Sequence, residues 1–353
     1  MTPDGRKLVP LFNDFLYDTI RKIAADQGFK KDLFSVDFDE ETRLECDGFI
    51  SFVFRAIVSE DERELVLWCK VPPSNDSRSL VLFEREVFFY REILPEFVKF
   101  QQEKGIRDEL TGGFYGVPKC YYAHCEIDKE DEIEAVIVLE YDESYERWDW
   151  DKLQPLDIEH AKILMASLGR LHAVSFAMKE QRPDEFEKFN LLDKLAEKNT
   201  LTTLMNESID RALVTMKTRF ASDQEKIARV KKDVFQLLEA SGHPQEMEPY
   251  RVINHGDCWI NNHIYRHSED QVATSVILTD WQSFRHATPL LDIGYFFFIC
   301  ASSEFRKNHM DSLLQHYHNA LRGLLDRLGG DTDRQFPFAT LLRLMEPFRK
   351  LLE

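Results

Sequence analysis

The chain has 353 residues, with 45 Lys and Arg against 63 Asp and Glu and a formal net charge of -18. That balance excludes a protein whose affinity comes from neutralising a phosphate backbone, so no nucleic-acid partner is expected. Hydrophobic residues at 43% and charged residues at 31% exclude a disordered chain, and the length fits one large domain or two packed lobes.

Leu8, Phe12, Phe15, Ile20 and Ile23 recur at helical spacing, and Gly28 follows as a stop. Residues 51–58 alternate as a strand, residues 59–64 form an acidic turn, and residues 65–71 give a second strand, so a hairpin is expected. Pro72 and Pro73 break the pattern. Phe83, Val87, Tyr90, Leu94 and Phe97 then form a helical stripe expected to close near Pro95. Gly112, Gly113, Gly116 and Pro118 mark a loop, and residues 121–126 and 135–140 read as another antiparallel pair.

A polar stretch at 142–154, carrying Trp148 and Trp150, reads as a linker. Ala161, Leu164, Leu168, Leu171 and Ser175 line a long helix, and a charged helical region is expected over 184–240. Short strands at 252–254 and 276–279 precede helices at 305–328 and 337–352. The fold class is therefore α+β. Residues 1–140 form a small lobe with an antiparallel sheet, and residues 141–353 a larger, mainly helical one.

Residues 1–10 carry no apolar signal core, so no leader is expected. The longest apolar run, residues 290–301, contains Asp292 and falls well short of the ~20 residues of a spanning helix, so no membrane partner is expected. Cys46, Cys69, Cys120, Cys125, Cys258 and Cys300 form no C-x-x-C pair and no disulfide framework, which fits a reducing, cytoplasmic setting.

The main chemical signal is His255-Gly256-Asp257-Cys258-Trp259-Ile260-Asn261-Asn262, after a short apolar strand. It has the spacing H-x-D-x-x-x-x-N of a phosphoryl-transfer loop. A carboxylate at Asp257 can orient an acceptor hydroxyl, and a carboxamide at Asn262 can ligate Mg²⁺. An ordinary Asn/Asp turn is the bland alternative. The apolar run 276–278 delivers Asp280 at its end, inside Asp280-Trp281-Gln282, where a metal-binding Asp is expected. Upstream, an apolar strand carries Lys70, suited to ATP phosphates. Its partner is expected on the next helix at Glu86, with Glu84 the alternative, and a snorkelling surface Lys70 is the bland alternative. A phosphate-covering turn is sought near Gly48 and Ser51, where one glycine alone fits a plain turn equally well.

These residues resemble the ecdysteroid kinase-like family, relatives of choline kinases and aminoglycoside phosphotransferases. The likeness spans about residues 34–298. It includes Glu86-x-x-x-Tyr90 with Leu94-Pro95, Val138-Leu139-Glu140, Leu171-His172-Ala173-x-Ser175, and the pair Asp280 and Asp292. The family's covering turn usually begins with Gly, and Cys46 stands near that place. The chain also ends at Glu353, shorter than the family leads one to expect.

The resemblance implies a bilobal protein-kinase-like fold with ATP and Mg²⁺ as cofactors. Adenine would sit at the hinge of Glu140 and Tyr141, and the product would be phosphorylated at a hydroxyl of a steroid or other small molecule. Asp257 would be catalytic, Asn262 and Asp280 metal ligands, and Lys70, Glu86, Gly48 and Ser51 nucleotide-binding. A choline or foreign hydroxyl compound as acceptor, or an inactive binding module, are the rival readings. His172 and His255 are expected to brace structure, and Asp292 to hold the loop backbone.

Overall fold

The computed structural model describes residues 13–30, 33–44, 51–72, 77–127, 133–147, 156–190, 245–270 and 272–352. The chain divides into two compact units, each discontinuous in sequence. The first comprises the described residues up to Pro95, Val117–Tyr145 and Thr279–Ser283. The second comprises those of Glu96–Gly116, Glu146–Leu278 and Phe284–Glu353.

In the first unit, α1 (Asp14–Asp26) starts at Asn13, whose side chain accepts from the Leu16 amide at 2.9 Å. It ends at Gly28, which has φ +85°. Its apolar stripe, Leu16, Ile20, Ile23 and Ala24, is buried against Phe54, Val58, Leu67 and Val138 of the sheet. Each fully buried side chain of this size contributes about 1.5–3 kcal/mol.

The sheet holds β1 (Ser35–Leu44), β2 (Phe52–Glu60), β3 (Arg63–Val71), β4 (Cys120–Ile127) and β5 (Ile133–Glu140) in the order β1-β2-β3-β5-β4, antiparallel throughout. β3 is thus the central strand, and Lys70 pairs with Val53 on one side and Ile137 on the other. Between β3 and β4 runs α2 (Ser77–Phe88), a π turn (Phe89–Ile93) and α3 (Leu94–Glu103). The expected close near Pro95 does not occur. The helical backbone continues without a break from α2 through the π turn into α3, and Pro95 lies inside that run.

In the second unit, β6 (Tyr145–Arg147) joins β8 (His263–His267) and β9 (Ala273–Leu278) in a three-stranded sheet ordered β6-β8-β9. A second pair joins β7 (Val252–Asn254) to β10 (Arg285–Ala287). Around them lie α4 (Ile158–Gln181), α5 (Pro183–Glu187), α6 (Leu290–Ile299), α7 (Ser303–Arg327), α8 (Thr332–Gln335) and α9 (Phe338–Leu352). Asp157 caps α4 by accepting from the Glu159 and His160 amides at 2.9 and 3.0 Å. The charged helical region expected over 184–240 lies mostly outside the described residues, as do Trp148 and Trp150.

The architecture is of the expected α+β class, with a five-stranded antiparallel sheet in one unit and mostly helix in the other. Cys69, Cys120, Cys125, Cys258 and Cys300 are free thiols. Among the described residues no helix is long and apolar enough to cross a membrane.

Candidate functional site

The first unit gathers three charged groups from distant points of the sequence. Lys70, on the central strand, donates from Nζ to Glu86 Oε1 at 2.8 Å and Oε2 at 2.6 Å, and also to Asp280 Oδ1. Lys70 is 4% exposed and Glu86 1%, whereas Asp280 keeps 29% of its side chain open. Glu84, the other candidate partner, is exposed, because two residues along a helix turn a side chain away from its neighbour's face.

Burial opposes the charge on Lys70, but the Asp280 and Glu86 carboxylates outweigh it and hold its pKa above the ordinary lysine value. The Glu86 pKa is also raised. Burial and the charge of Asp280 together exceed what Lys70 gives back. One ammonium facing two carboxylates leaves a surplus of negative charge.

Asp280 reaches this cluster by an unusual backbone. It lies two residues beyond β9 with φ +63°, in the left-handed region that Asp tolerates better than most residues. The next residues are fixed firmly. Trp281 is fully buried and stacks on Phe89 with centroids 3.8 Å apart and planes 4° apart, and Arg85 Nε donates to the Gln282 carbonyl at 3.3 Å. Both contacts come from α2 and its π turn, so the helix that carries Glu86 also positions Asp280.

The second unit holds the loop 255–262. Gly256 has φ +84°, which explains glycine between His255 and Asp257. Asp292, fully buried on α6, accepts from the backbone amides of His255 and Gly256, each at 2.8 Å. Burial pushes its carboxyl up, but His172, the charge of His255 and the Gly256 amide outweigh that and leave it below the usual carboxylate range. Asp292 therefore holds the loop backbone, as expected of it. His172 bridges Asp292 at 3.3 Å and the Tyr317 hydroxyl at 2.8 Å, a structural role. His255 Nδ1 accepts from the Asp257 amide at 3.3 Å, so it too braces the loop.

Within the loop, Asn262 Nδ2 donates to the Asp257 carbonyl at 2.9 Å and to Asp257 Oδ2 at 3.0 Å. The other carboxylate oxygen, Oδ1, accepts from the Tyr295 hydroxyl at 2.7 Å. Burial and the charge of Asp257 push the Tyr295 pKa well up, so it stays a donor. Sequence reasoning missed Tyr295. The available signal was its place three residues after Asp292 on the same helix, which puts both on one face.

The remaining candidates are scattered. Ser51 lies one residue before β2, and Gly48 lies outside the described residues. Glu140 ends β5, its amide donating to the Lys119 carbonyl at 2.8 Å. Tyr141 follows, with its ring edge-on to Trp68 at 5.7 Å and under Arg55 at 5.6 Å.

Comparison with known proteins adds the following. The profile described as "Ecdysteroid kinase-like family" matches residues 45–330. A curated relative, the "Uncharacterized oxidoreductase dhs-27" of Caenorhabditis elegans, is 19% identical over 313 residues, 80% of this chain, and the chain spans about 34% of that protein's length. Among solved structures, a Plasmodium vivax ethanolamine kinase is 12% identical, with 96% of this chain and 81% of that one covered and a TM-score of 0.48. A microcompartment-associated aminopropanol kinase is 15% identical, covering 95% and 93%, with a TM-score of 0.46. Spectinomycin phosphotransferase, solved with ADP and spectinomycin, is 12% identical, covering 89% and 88%, with a TM-score of 0.45.

Proposed function

Because the chain belongs to the ecdysteroid kinase-like family, we propose that it transfers the γ-phosphoryl group of ATP to a hydroxyl of a small, largely apolar molecule. Ecdysteroids are the first acceptor class to test. The observation that carries this reading is the Lys70 ammonium bracketed by Glu86 and Asp280. A buried lysine held by one carboxylate, beside a second and more open one, suits a group that meets ATP phosphates.

Mg²⁺ fits the donors available. Asp280 supplies a carboxylate, Asn262 a carboxamide oxygen, and the surplus negative charge around Lys70 favours a cation. Among the described residues no cluster of three or more His, Cys, Asp or Glu is disposed to hold a metal alone. That suits an ion held by one or two protein oxygens together with phosphates. When bound, the ion neutralises phosphate charge. In this reading Asp280 and Asn262 hold it, and Lys70 contacts the phosphates while Glu86 fixes its direction. Gly48 and Ser51 cover the phosphates, and the chain at Glu140 and Tyr141 meets the adenine.

Asp257 orients the acceptor hydroxyl and takes its proton. The acceptor oxygen bonds to the γ-phosphorus, the bond to the bridging oxygen breaks, and ADP leaves with that electron pair. Tyr295 and Asn262 keep the Asp257 carboxylate in one orientation. Little covalent work falls on the protein, which positions reactants and balances charge.

The test is Mg²⁺-dependent ADP formation by the full chain with a panel of hydroxylated steroids, choline and simple alcohols, using Asp257→Asn as control. We expect steroid-dependent turnover that falls about 10²–10⁴-fold in the variant while ATP binding is retained. Turnover unchanged in Asp257→Asn would remove Asp257 from its role. Turnover with choline alone would replace the acceptor class. Neither turnover nor a nucleotide-induced rise in Tm would leave a binding module.

A further inference from the structure

Helix α6 turns the usual helix pattern inside out. Its one charged residue, Asp292, is fully buried, along with Leu290, Ile293, Gly294, Phe296 and Phe297. Its half-buried or exposed positions are Leu291, Tyr295, Phe298 and Ile299. They fall at i, i+4, i+7 and i+8, so they form one stripe, where a surface helix ordinarily carries charged and polar side chains. Ile299 is 59% exposed. A single exposed isoleucine needs no explanation, whereas a whole apolar stripe beside a working carboxylate does.

The stripe runs past Asp257. Tyr295, in its middle, donates to Asp257 Oδ1 at 2.7 Å, and Cys300 Sγ, one residue past the helix, donates to the Cys258 carbonyl at 3.6 Å. The loop therefore lines one flank of the stripe. Helix α9 lines the other: Phe348 packs on Phe298 with ring centroids 6.2 Å apart, and a Cβ at Gly294 would stand 2.7 Å from the Phe348 ring. At the rise of an α-helix the stripe is about 12 Å long, and Ile299 lies about 6 Å beyond Tyr295. Arg306 Nη1 donates to the Phe297 and Ala301 carbonyls at 3.2 and 2.6 Å, which sets a positive charge at this end of the helix. All of these residues belong to the second unit. A floor with no carboxylate among its own open side chains, and with a cation at its end, disfavours an ammonium-bearing ligand and favours an apolar one.

We propose that the open stripe of α6 is the surface on which the acceptor's apolar frame lies, with Ile299 as the contact that selects it. This rests on the phosphoryl-transfer reading above, in which Asp257 orients the acceptor hydroxyl. Tyr295 ties the two roles together. Its hydroxyl holds the Asp257 carboxylate, and its ring belongs to the stripe, so a frame lying along the stripe presents its hydroxyl at Asp257. Ile299, one turn further on, meets the part of the frame away from the reacting hydroxyl.

The experiment is titration of 1-pyrenemethanol, a flat apolar alcohol with polarity-sensitive emission, with the full chain, followed by ADP release with the best acceptor of the steroid and alcohol panel. Saturable binding with Kd below about 100 μM is expected. Ile299→Gln should weaken it about fivefold or more, and Ile299→Leu should stay within about twofold of wild type, because the contact is apolar area and not shape alone. Both variants should keep the wild-type Tm within about 1 °C, since the side chain is exposed. Val272→Gln, at another exposed apolar residue of the second unit, reads adsorption and should leave binding unchanged. In turnover, Ile299→Gln should raise KM for the acceptor about fivefold and leave KM for ATP within about twofold. No saturation, equal losses in Ile299→Gln and Val272→Gln, or wild-type binding by Ile299→Gln would overturn the proposal, even where the wild type turns over. Binding that responds to Ile299→Gln but not Val272→Gln, without turnover of any acceptor, would instead remove the phosphoryl-transfer reading and leave the stripe as a site for an apolar alcohol.

Discussion

At the scale of single residues, Asp257 is held from both sides, by Asn262 Nδ2 on one carboxylate oxygen and by the Tyr295 hydroxyl on the other. Removing the hydroxyl leaves the carboxylate one anchor and freedom to rotate. A hydrogen bond to a charged group is worth about 1.5–3 kcal/mol, part of which Asn262 and water recover. Tyr295→Phe should therefore lower kcat about tenfold with KM for ATP unchanged, read in the ADP-release assay. Equal kcat would show that Asn262 alone fixes the carboxylate. The loop 255–262, Lys70 and Asp280 stood out as candidates in the sequence because carboxylates, a carboxamide and a lone lysine interrupt or follow short apolar strands. Tyr295 was not, because it opens the apolar run Tyr295-Phe296-Phe297-Phe298 and reads there as core. Its role depends on one hydroxyl, and hydropathy does not register a hydroxyl.

At the scale of elements, the pairing of β2 with β3 and of β4 with β5 was legible, because each strand alternates and is bounded by turn residues. β1 and β8 were not. β1 carries Asp37, Asp39, Glu40 and Glu41, poor strand formers, and gains its conformation by pairing with β2. β8 reads polar, yet His263, Ile264 and Tyr265 are buried in it. The helix α4 was predicted with one apolar face, but nearly every residue from Ser167 to Met178 is buried. Its packing turns on Gly169. A Cβ there would stand 2.4 Å from the Tyr317 carbonyl and 3.0 Å from the Leu321 amide of α7, both backbone atoms that cannot swing aside. Gly169→Ala should lower stability by about 1–3 kcal/mol, overpacking outweighing the better helix propensity of alanine. Gly323, in α7 itself, has nothing within 4 Å of its would-be Cβ. Gly323→Ala should raise stability by about 0.5–1 kcal/mol. Thermal unfolding of the two variants reads opposite signs, and a matching sign would show that the α4–α7 approach is looser than 2.4 Å implies.

At the scale of the whole molecule, net charge and length bounded the reading without revealing how stability responds to pH. That response depends on which histidines are buried, and the sequence marks them only as polar. Burial, with the nearby charge of His255, pushes the His263 pKa down to about 3, Asp292 pulling weakly the other way. Burial, with the charges of Arg251 and Lys179, pushes His286 down to about 3. Both are neutral in the fold but take up a proton near pH 6.5 once the chain unfolds. Between those values the unfolded chain binds more protons, so stability falls as pH drops below about 6.5, by at most ~1.4 kcal/mol per pH unit for each histidine. Asp292, whose folded pKa is lowered, adds its own loss further down, as pH falls through that value below the ordinary carboxylate range. Glu86 and Glu109, raised chiefly by burial, act in the opposite sense and soften the slope. His263 allows its share to be isolated, since neither ring nitrogen has a hydrogen-bond partner among the described residues. His263→Phe loses no such bond and nothing that titrates in the fold. Its Tm should match or exceed wild type at pH 7 and decline less steeply from pH 6.5 to 4. Parallel Tm–pH curves would mean that His263 is protonated in the folded protein at pH 5, and that water reaches a ring that the packing encloses.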